Sequence, residues 1–312
     1  MTNNAPFIQS DRLSNPVVSI GLPVYNGSDF LAEALDAILA QEFGDFELII
    51  SDNASTDATA EICAQYANLD KRISVIRHPE NLGAAKNYNH VFQRASAKYF
   101  KWAAHDDIIL PEFLSRCVAA FEAYPKPCAI VYPQSEFIDE TGQVVRGDRN
   151  TMHSTSSFPA ARVHRAVQAM GLVTAVFGLF NRDILSRTRL IGSFVASDYV
   201  LLLECALLGA VLHLDGQPLF QRRIHQNMSR QANKTDREVL RWFDPNARSY
   251  LSSKQRLHLE FLKSIYGLDG LGLLDRQVCA CTLVGSLVYR RARISAGLWR
   301  RKLRSETANL GT

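Results

Sequence analysis

The sequence has no C-x-x-C pair among its six cysteines, Cys63, Cys117, Cys128, Cys205, Cys279 and Cys281. Neither a zinc ribbon nor a disulfide framework is therefore indicated, and reduced, buried thiols are expected. Long apolar runs are missing too: no stretch stays uncharged for the ~18 residues a membrane span requires. The opening residues, MTNNAPFIQSDRL, lack the basic start and apolar centre of a secretory signal, so a cytoplasmic location is expected. Charge of one sign is not in excess, with 35 Lys and Arg against 31 Asp and Glu and a net charge of +4. That falls short of a dedicated nucleic-acid binder, and no nucleic-acid partner is expected. Internal repeats and low-complexity segments are also lacking. What is present is a 312-residue chain, 47% hydrophobic, long enough for one large domain and an appendage.

Strand and helix patterns alternate along the first two thirds. VVSIGL at 17–22, FELIIS at 46–51, ISVIR at 73–77 and YFKWAA at 99–104 read as buried strands. Between them, Phe30, Leu31, Ala34, Leu35 and Ile38 recur at helical spacing behind a Ser28 cap. Ile62, Cys63 and Tyr66 mark a second helix, and the segment after NLG a third. PEFLSRCVAAFEAY predicts a helix with Pro111 in its first turn. Residues 129–139 predict one more strand, the polar segment 140–157 a loop, SDYVLLLECALLG a strongly apolar helix, and PLFQRRIH a last strand. This rhythm, without tight hairpins, predicts an α/β fold with a mostly parallel central sheet flanked by helices. From about Gln226 the chain becomes mainly helical.

The HDD at 105–107 then has a defined place. Asp106 and Asp107 follow a parallel strand at its carboxyl end, where open α/β sheets bind ligands. Two adjacent anions repel unless water screens them in a turn or a cation sits between them. Magnesium or manganese suits such a pair, since either ion takes one or two carboxylates and completes its shell with phosphate and water. Pro23, Tyr25 and Asn26 past the first strand, and Asp52 and Asn53 past the second, lie where a nucleotide could rest; shaping a turn is the alternative for Asp52 and Asn53.

Three stretches in series, PVYNGSDFLAEALDAILAQEFGDFELIISDNASTD at 23–57, NLGAAKNYN at 81–89 and HDD at 105–107, resemble the family 2 glycosyltransferases, which have the GT-A fold. The resemblance covers residues 16 to 225 as a GT-A domain, leaving 226–312 as a helical extension. It implies inverting transfer of a sugar from a nucleotide-diphosphate sugar to an acceptor hydroxyl of a glycan or lipid-linked molecule, in surface polysaccharide or glycolipid synthesis. By the same resemblance HDD is a variant of the family's metal-binding D-x-D element. Asp107 would hold Mn2+ or Mg2+, and Asp106 would face the ribose or the metal. Pro23, Tyr25, Asn26, Asp52 and Asn53 would meet the nucleotide. Asn53 stands where a second aspartate is common, which leaves the base open and keeps a non-catalytic binding subunit as an alternative. Lys86 would meet donor phosphates, or be a surface lysine. Asp198 would be the general base, though it also suits capping its helix, and Glu204 is a weaker candidate in the same helix. His225 would reach the metal or the phosphates, or be loop surface. Trp102 and His105 are expected to pack beside the acids. A sugar-phosphate nucleotidyltransferase would need a glycine-rich basic loop after the first strand, and GLPVYNGSD has none.

Residues 289–304 mix seven arginines and lysines with Ile294, Leu298 and Trp299. As a helix this segment could lie on an anionic membrane at its cytoplasmic face, or it could be a solvated end.

Overall fold

Eight strands form the central sheet of the computed structural model, which describes residues 7–8, 15–149, 151–171, 174–226, 235–247 and 251–309, with side chains between 15 and 296. Their order is β1 (Phe7–Ile8), β4 (Ile73–Arg77), β3 (Phe46–Asp52), β2 (Val18–Val24), β5 (Tyr99–Trp102), β10 (Leu179–Asn181), β7 (Cys128–Pro133) and β11 (Ala210–Leu214). Strands β4, β3, β2 and β5 are mutually parallel, as β7 and β11 are. Only β1 and β10 run against their neighbours. Every residue of β2 and β3 is buried, because strands covered on both faces need no polar side.

The covering helices are α1 (Leu31–Leu39), α2 (Thr59–Leu69), α3 (Ala84–Arg94) and α4 (Phe113–Ala123), followed by α5 (Pro159–Ala169), the short α6 (Arg182–Ser186) and α7 (Ser197–Leu208). Ser28 does not cap α1: the helix opens three residues later, and the Ser28 amide donates to Asp57 Oδ2 at 3.0 Å. Pro111 likewise lies just ahead of α4 rather than within it.

The strand expected at 129–139 breaks at Gln134. Its second half, β8 (Ser135–Ile138), joins a smaller sheet ordered β6 (Ile108–Ile109), β12 (Phe220–Arg223), β8, β9 (Val144–Gly147). Part of the expected 140–157 loop is thus strand β9, paired antiparallel with β8. Strand β6 follows directly on HDD, so the small sheet braces the acidic turn from beyond.

Helices α8 (Asp236–Phe243), α9 (Ser253–Gly267) and α10 (Leu273–Asn309) make up the extension. Phe261 and Ile265 of α9, with Cys279 and Leu283 of α10, are buried in the same core as the sheet helices. Five cysteines are buried as expected; Cys281 is exposed on α10. Among the described residues no helix is long and apolar enough to cross a membrane.

Candidate active site

Chain topology places the cleft. From β2 the chain moves to β3 and β4 on one side, then returns through α3 to β5 on the other, so the carboxyl ends of β2, β3 and β5 open on a switch point. A cleft of about 260 Å3 lies there. Pro23, Tyr25, Asn26, Asn53, Asp106, Asp107 and His225 all line it. Lys86 does not: Ala84, Asn87 and Tyr88 face the cleft at helical spacing, and Lys86 is exposed off that face. Asp52 is wholly buried behind the wall, where Oδ1 accepts the Ser55 amide at 2.9 Å and Oδ2 pairs with Arg77 Nε at 3.3 Å.

Asn53 is bound up locally. Its Nδ2 donates to Asn81 Oδ1 at 2.9 Å and its Oδ1 accepts the Leu82 amide at 2.9 Å, tying the end of β3 to the NLG loop. Asn26 adopts φ +49°, and its Oδ1 accepts the Thr56 amide at 2.8 Å. Short polar side chains thus replace backbone partners in turns too tight for ladder bonds. Tyr25 is 43% exposed at the rim.

The acidic turn is held by an arginine that the sequence reading passed over. Arg223, almost fully buried, donates its backbone amide to Asp107 Oδ1 at 3.0 Å and its Nε to the Asp106 carbonyl at 3.1 Å. Its other nitrogens reach Glu33 of α1 at 2.6 Å and the carbonyls of Asp139 and Glu140. Arg222, one residue earlier on β12, lines the cleft. Beneath the turn, Lys101 is fully buried, donating to the carbonyls of Phe177 and Trp102, and burial pushes its pKa down to about 7.

Asp107 is buried, and desolvation together with the neighbouring Asp106 charge raises its pKa. Burial acts on Asp106 in the same sense, but the 2.9 Å hydrogen bond to His225 Nε2 and the nearby His105 prevail and hold it low. His225 is raised in turn by that bond. The donor chemistry fits a hard divalent cation: a buried carboxylate whose pKa stays raised despite the Arg222 and Lys101 charges stands beside an ionised one, facing a cleft that can admit phosphate oxygens. Among the described residues no three such side chains already converge on a common point, and His225 spends Nε2 on Asp106. Trp102 is buried and donates Nε1 to the Tyr88 carbonyl, whereas His105 faces the cleft.

Asp198, second residue of α7, lines an adjoining pocket of about 160 Å3 with Val176, Ile191, Val195, Val239 and Phe243. Ala196, at φ +66°, is the N-cap residue of α7 and has no side chain to cap it, and Asp198 lies in the first turn. The two spaces share the walls Ala84, Tyr88, Phe177, Arg222 and Trp242. Tyr88 lines both spaces, and burial and then the charges of Asp106 and Asp107, with Asp198 contributing, raise its phenol. Glu204 is elsewhere: six residues along α7 it turns away from the cleft and pairs with Arg189 at 2.6 Å. Arg222, Arg241 and Trp242 went unnoticed in the sequence. Only the alternation of β12 could have flagged Arg222, while Arg241 and Trp242 arrive from α8.

An α/β sheet with a switch-point cleft and two acids at the mouth of β5 has the architecture of a GT-A fold. Residues 19–188 match the family described as Glycosyl transferase family 2, more than half of the chain, and the chain belongs to that family. It is 36% identical over 137 residues to the putative glycosyltransferase EpsE of Bacillus subtilis, covering 44% of this chain and 48% of that protein. To the putative teichuronic acid biosynthesis glycosyltransferase TuaG of the same organism it is 38% identical over 92 residues, 30% of this chain and 36% of the relative. An uncharacterized glycosyltransferase of Rickettsia bellii is 31% identical over 140 residues, 44% of this chain and 20% of that one. The chain thus spans half or less of these curated relatives. Two solved structures share the fold. Staphylococcus aureus TarS 1–349 in complex with UDP-GlcNAc has a TM-score of 0.64 at 17% identity, covering 85% of this chain and 71% of that one. The mannosyltransferase PcManGT of Pyrobaculum calidifontis, in complex with GDP-Man and Mn2+, has a TM-score of 0.52 at 16% identity, covering 95% and 81%.

Proposed function

We propose that the protein is an inverting glycosyltransferase that moves a sugar from a nucleotide-diphosphate donor to an acceptor hydroxyl in synthesis of a surface polysaccharide or glycolipid, on the cytoplasmic side. The observation that carries this reading is the pair of adjoining spaces: Asp106, Asp107 and His225 around one, Asp198 in the other, with Arg222 and Tyr88 as their common wall. In this arrangement the nucleotide rests against Tyr25, Asn26 and Asn53, with Asp52 supporting the turn from behind. Mn2+ or Mg2+ at Asp107, with Asp106 and His225 beside it, would stabilise charge on the departing diphosphate as a Lewis acid. Arg222 adds a fixed positive charge beside the same acids. Asp198 takes the acceptor hydroxyl's proton as the oxygen bonds to the anomeric carbon, and the anomeric carbon–oxygen bond breaks with its electron pair leaving on the diphosphate. Such a base contributes about 10²–10⁴-fold. Lys86, exposed off this wall, has no part in it.

The neighbouring folds were solved with UDP-GlcNAc and with GDP-Man, which supports a nucleotide-sugar donor, and TuaG is named for teichuronic acid biosynthesis, which supports a role in surface polysaccharide synthesis. A thermal-shift screen of UDP- and GDP-sugars with and without manganese tests the donor, since a ligand that binds only the folded state raises the melting temperature. Selective, manganese-dependent stabilisation is expected. Asp107→Ala should lose that stabilisation and about a hundredfold or more of donor turnover; native turnover in this variant would remove the metal role.

A further inference from the structure

We propose that Arg189, clamped between the buried carboxylates of Glu204 and Glu260, is a positioning residue for Asp198, making the helical extension part of the catalytic unit. The proposal rests on the reading of Asp198 as the base. Residues 189–196 form one wall of the Asp198 pocket through Ile191, Val195 and Ala196, and then run directly into α7. This wall is not self-supporting. Leu190 at φ +57° and Ala196 at φ +66° are non-glycine residues in the left-handed region, a conformation that persists only where the surroundings over-determine it.

Two external holds supply that determination. On one side Asn89 of α3 acts as a surrogate backbone: its Nδ2 donates to the Ile191 carbonyl at 2.8 Å and its Oδ1 accepts the Ile191 amide at 3.0 Å. On the other side Arg189 makes five bonds. Its backbone amide and Nε donate to the two oxygens of Glu204, at 2.8 and 2.6 Å. Its Nη1 donates to Glu260 Oε2, and its Nη2 to Ser264 Oγ and the Glu260 carbonyl, at 2.6, 2.6 and 2.9 Å. Glu204 is fully buried on α7 and Glu260 nearly so on α9, so their charges depend on this guanidinium and on Arg256 and Lys263 beside Glu260. Arg256 also sits over the Phe194 ring, a second link from α9 to the same wall. The guanidinium makes four side-chain hydrogen bonds here, one more than the three donors of an ammonium could supply.

The full chain carries the test. In Arg189→Met, amides of residues 189–198 should exchange hydrogen at least tenfold faster while those of 45–57 stay native. The turnover number on the donor selected by the thermal-shift screen should fall tenfold or more, with donor KM unchanged. Arg189→Lys should recover part of both effects. Should Arg189→Met fail to fold, Glu260→Gln, which keeps the side chain's size and removes its charge, is read the same way with a threefold or greater change expected. Native exchange across 189–198, or native turnover despite faster exchange there, overturns the proposal, as does a uniform rise in exchange across both segments. Asp198→Asn separates the two readings: native turnover in that variant ends the role of the base, whereas its loss alongside an unaffected Arg189→Met ends only the clamp.

Discussion

His90 on α3 has its ring 4.7 Å from that of His78, which follows β4, and His78 Nε2 lies 2.9 Å from Ser51 Oγ of β3. Burial, then the His78 and Arg94 charges, lowers the His90 pKa to about 4. Burial also lowers His78, against the pull of Asp52. An unfolded histidine titrates near ~6.5, so below that pH the unfolded chain binds protons that the folded pair refuses. Stability is therefore insensitive to this pair above pH ~6.5 and declines as pH falls toward ~4. Melting temperature followed through that window should drop in the native protein and drop less in His90→Gln; parallel curves would show that the pair plays no part. Residues of this kind are illegible in a sequence, because His78 and His90 become neighbours only when α3 folds back over β3. Asp106, Asp107, Tyr25 and Asn26 were legible for the opposite reason. Each follows the end of a strand that its own apolar run announces. Asp107's partner Arg223 stands 116 residues away, and nothing local in RRIH says that one arginine is buried and the other faces a cleft.

Elements with strong apolar periodicity were readable, and those built by tertiary pairing were not. The strands of the sheet core appear as runs of β-branched and aromatic residues, whereas β9 is only four residues long, VVRG, is fully exposed, and forms only because β8 is there to pair with it. Helix α8 gave no signal of its own as a wall of the site, since none of its residues is buried. Close packing of one helix on the sheet also explains a residue that periodicity treats as an interruption. Gly21, in the middle of β2, lies under α3, where an added Cβ would stand 2.6 Å from Val91 Cγ2 and 2.9 Å from Phe100 Cζ. Both neighbours are fully buried and cannot withdraw. Gly21→Ala should cost about 1–3 kcal/mol through overpacking, measured as a lower urea midpoint at unchanged slope. A variant as stable as the native chain would mean that α3 can slide on the sheet, and with it Asn87 and Tyr88 of the cleft.

At the scale of the whole molecule, α10 carries two faces of different kind. Its inner face, with Cys279, Leu283 and Ser286, is buried; of its contacts, His164 of α5 reaches Ser286 Oγ at 2.8 Å. Its outer face exposes Leu274, Val278, Val284, Val288 and Tyr289, spaced so that they form one stripe opposite the inner one. Residues 291–296 are exposed all round, Arg291 and Arg293 among them, and the sequence beyond continues strongly basic. Two copies packed along such helices would bring like charges together, whereas an anionic bilayer would meet the stripe with lipid and the arginines with headgroups, each worth ~1 kcal/mol near the surface. The full chain should therefore float with vesicles containing phosphatidylglycerol and not with phosphatidylcholine alone, and added salt should release it, because the attraction is screened. Val284→Glu with Val288→Glu, on the outer face only, should weaken flotation without lowering the melting temperature, and removal of residues 297–312 should weaken it further. Equal failure of the native and shortened chains to float would overturn the membrane reading and leave α10 as a support for α5 and α9.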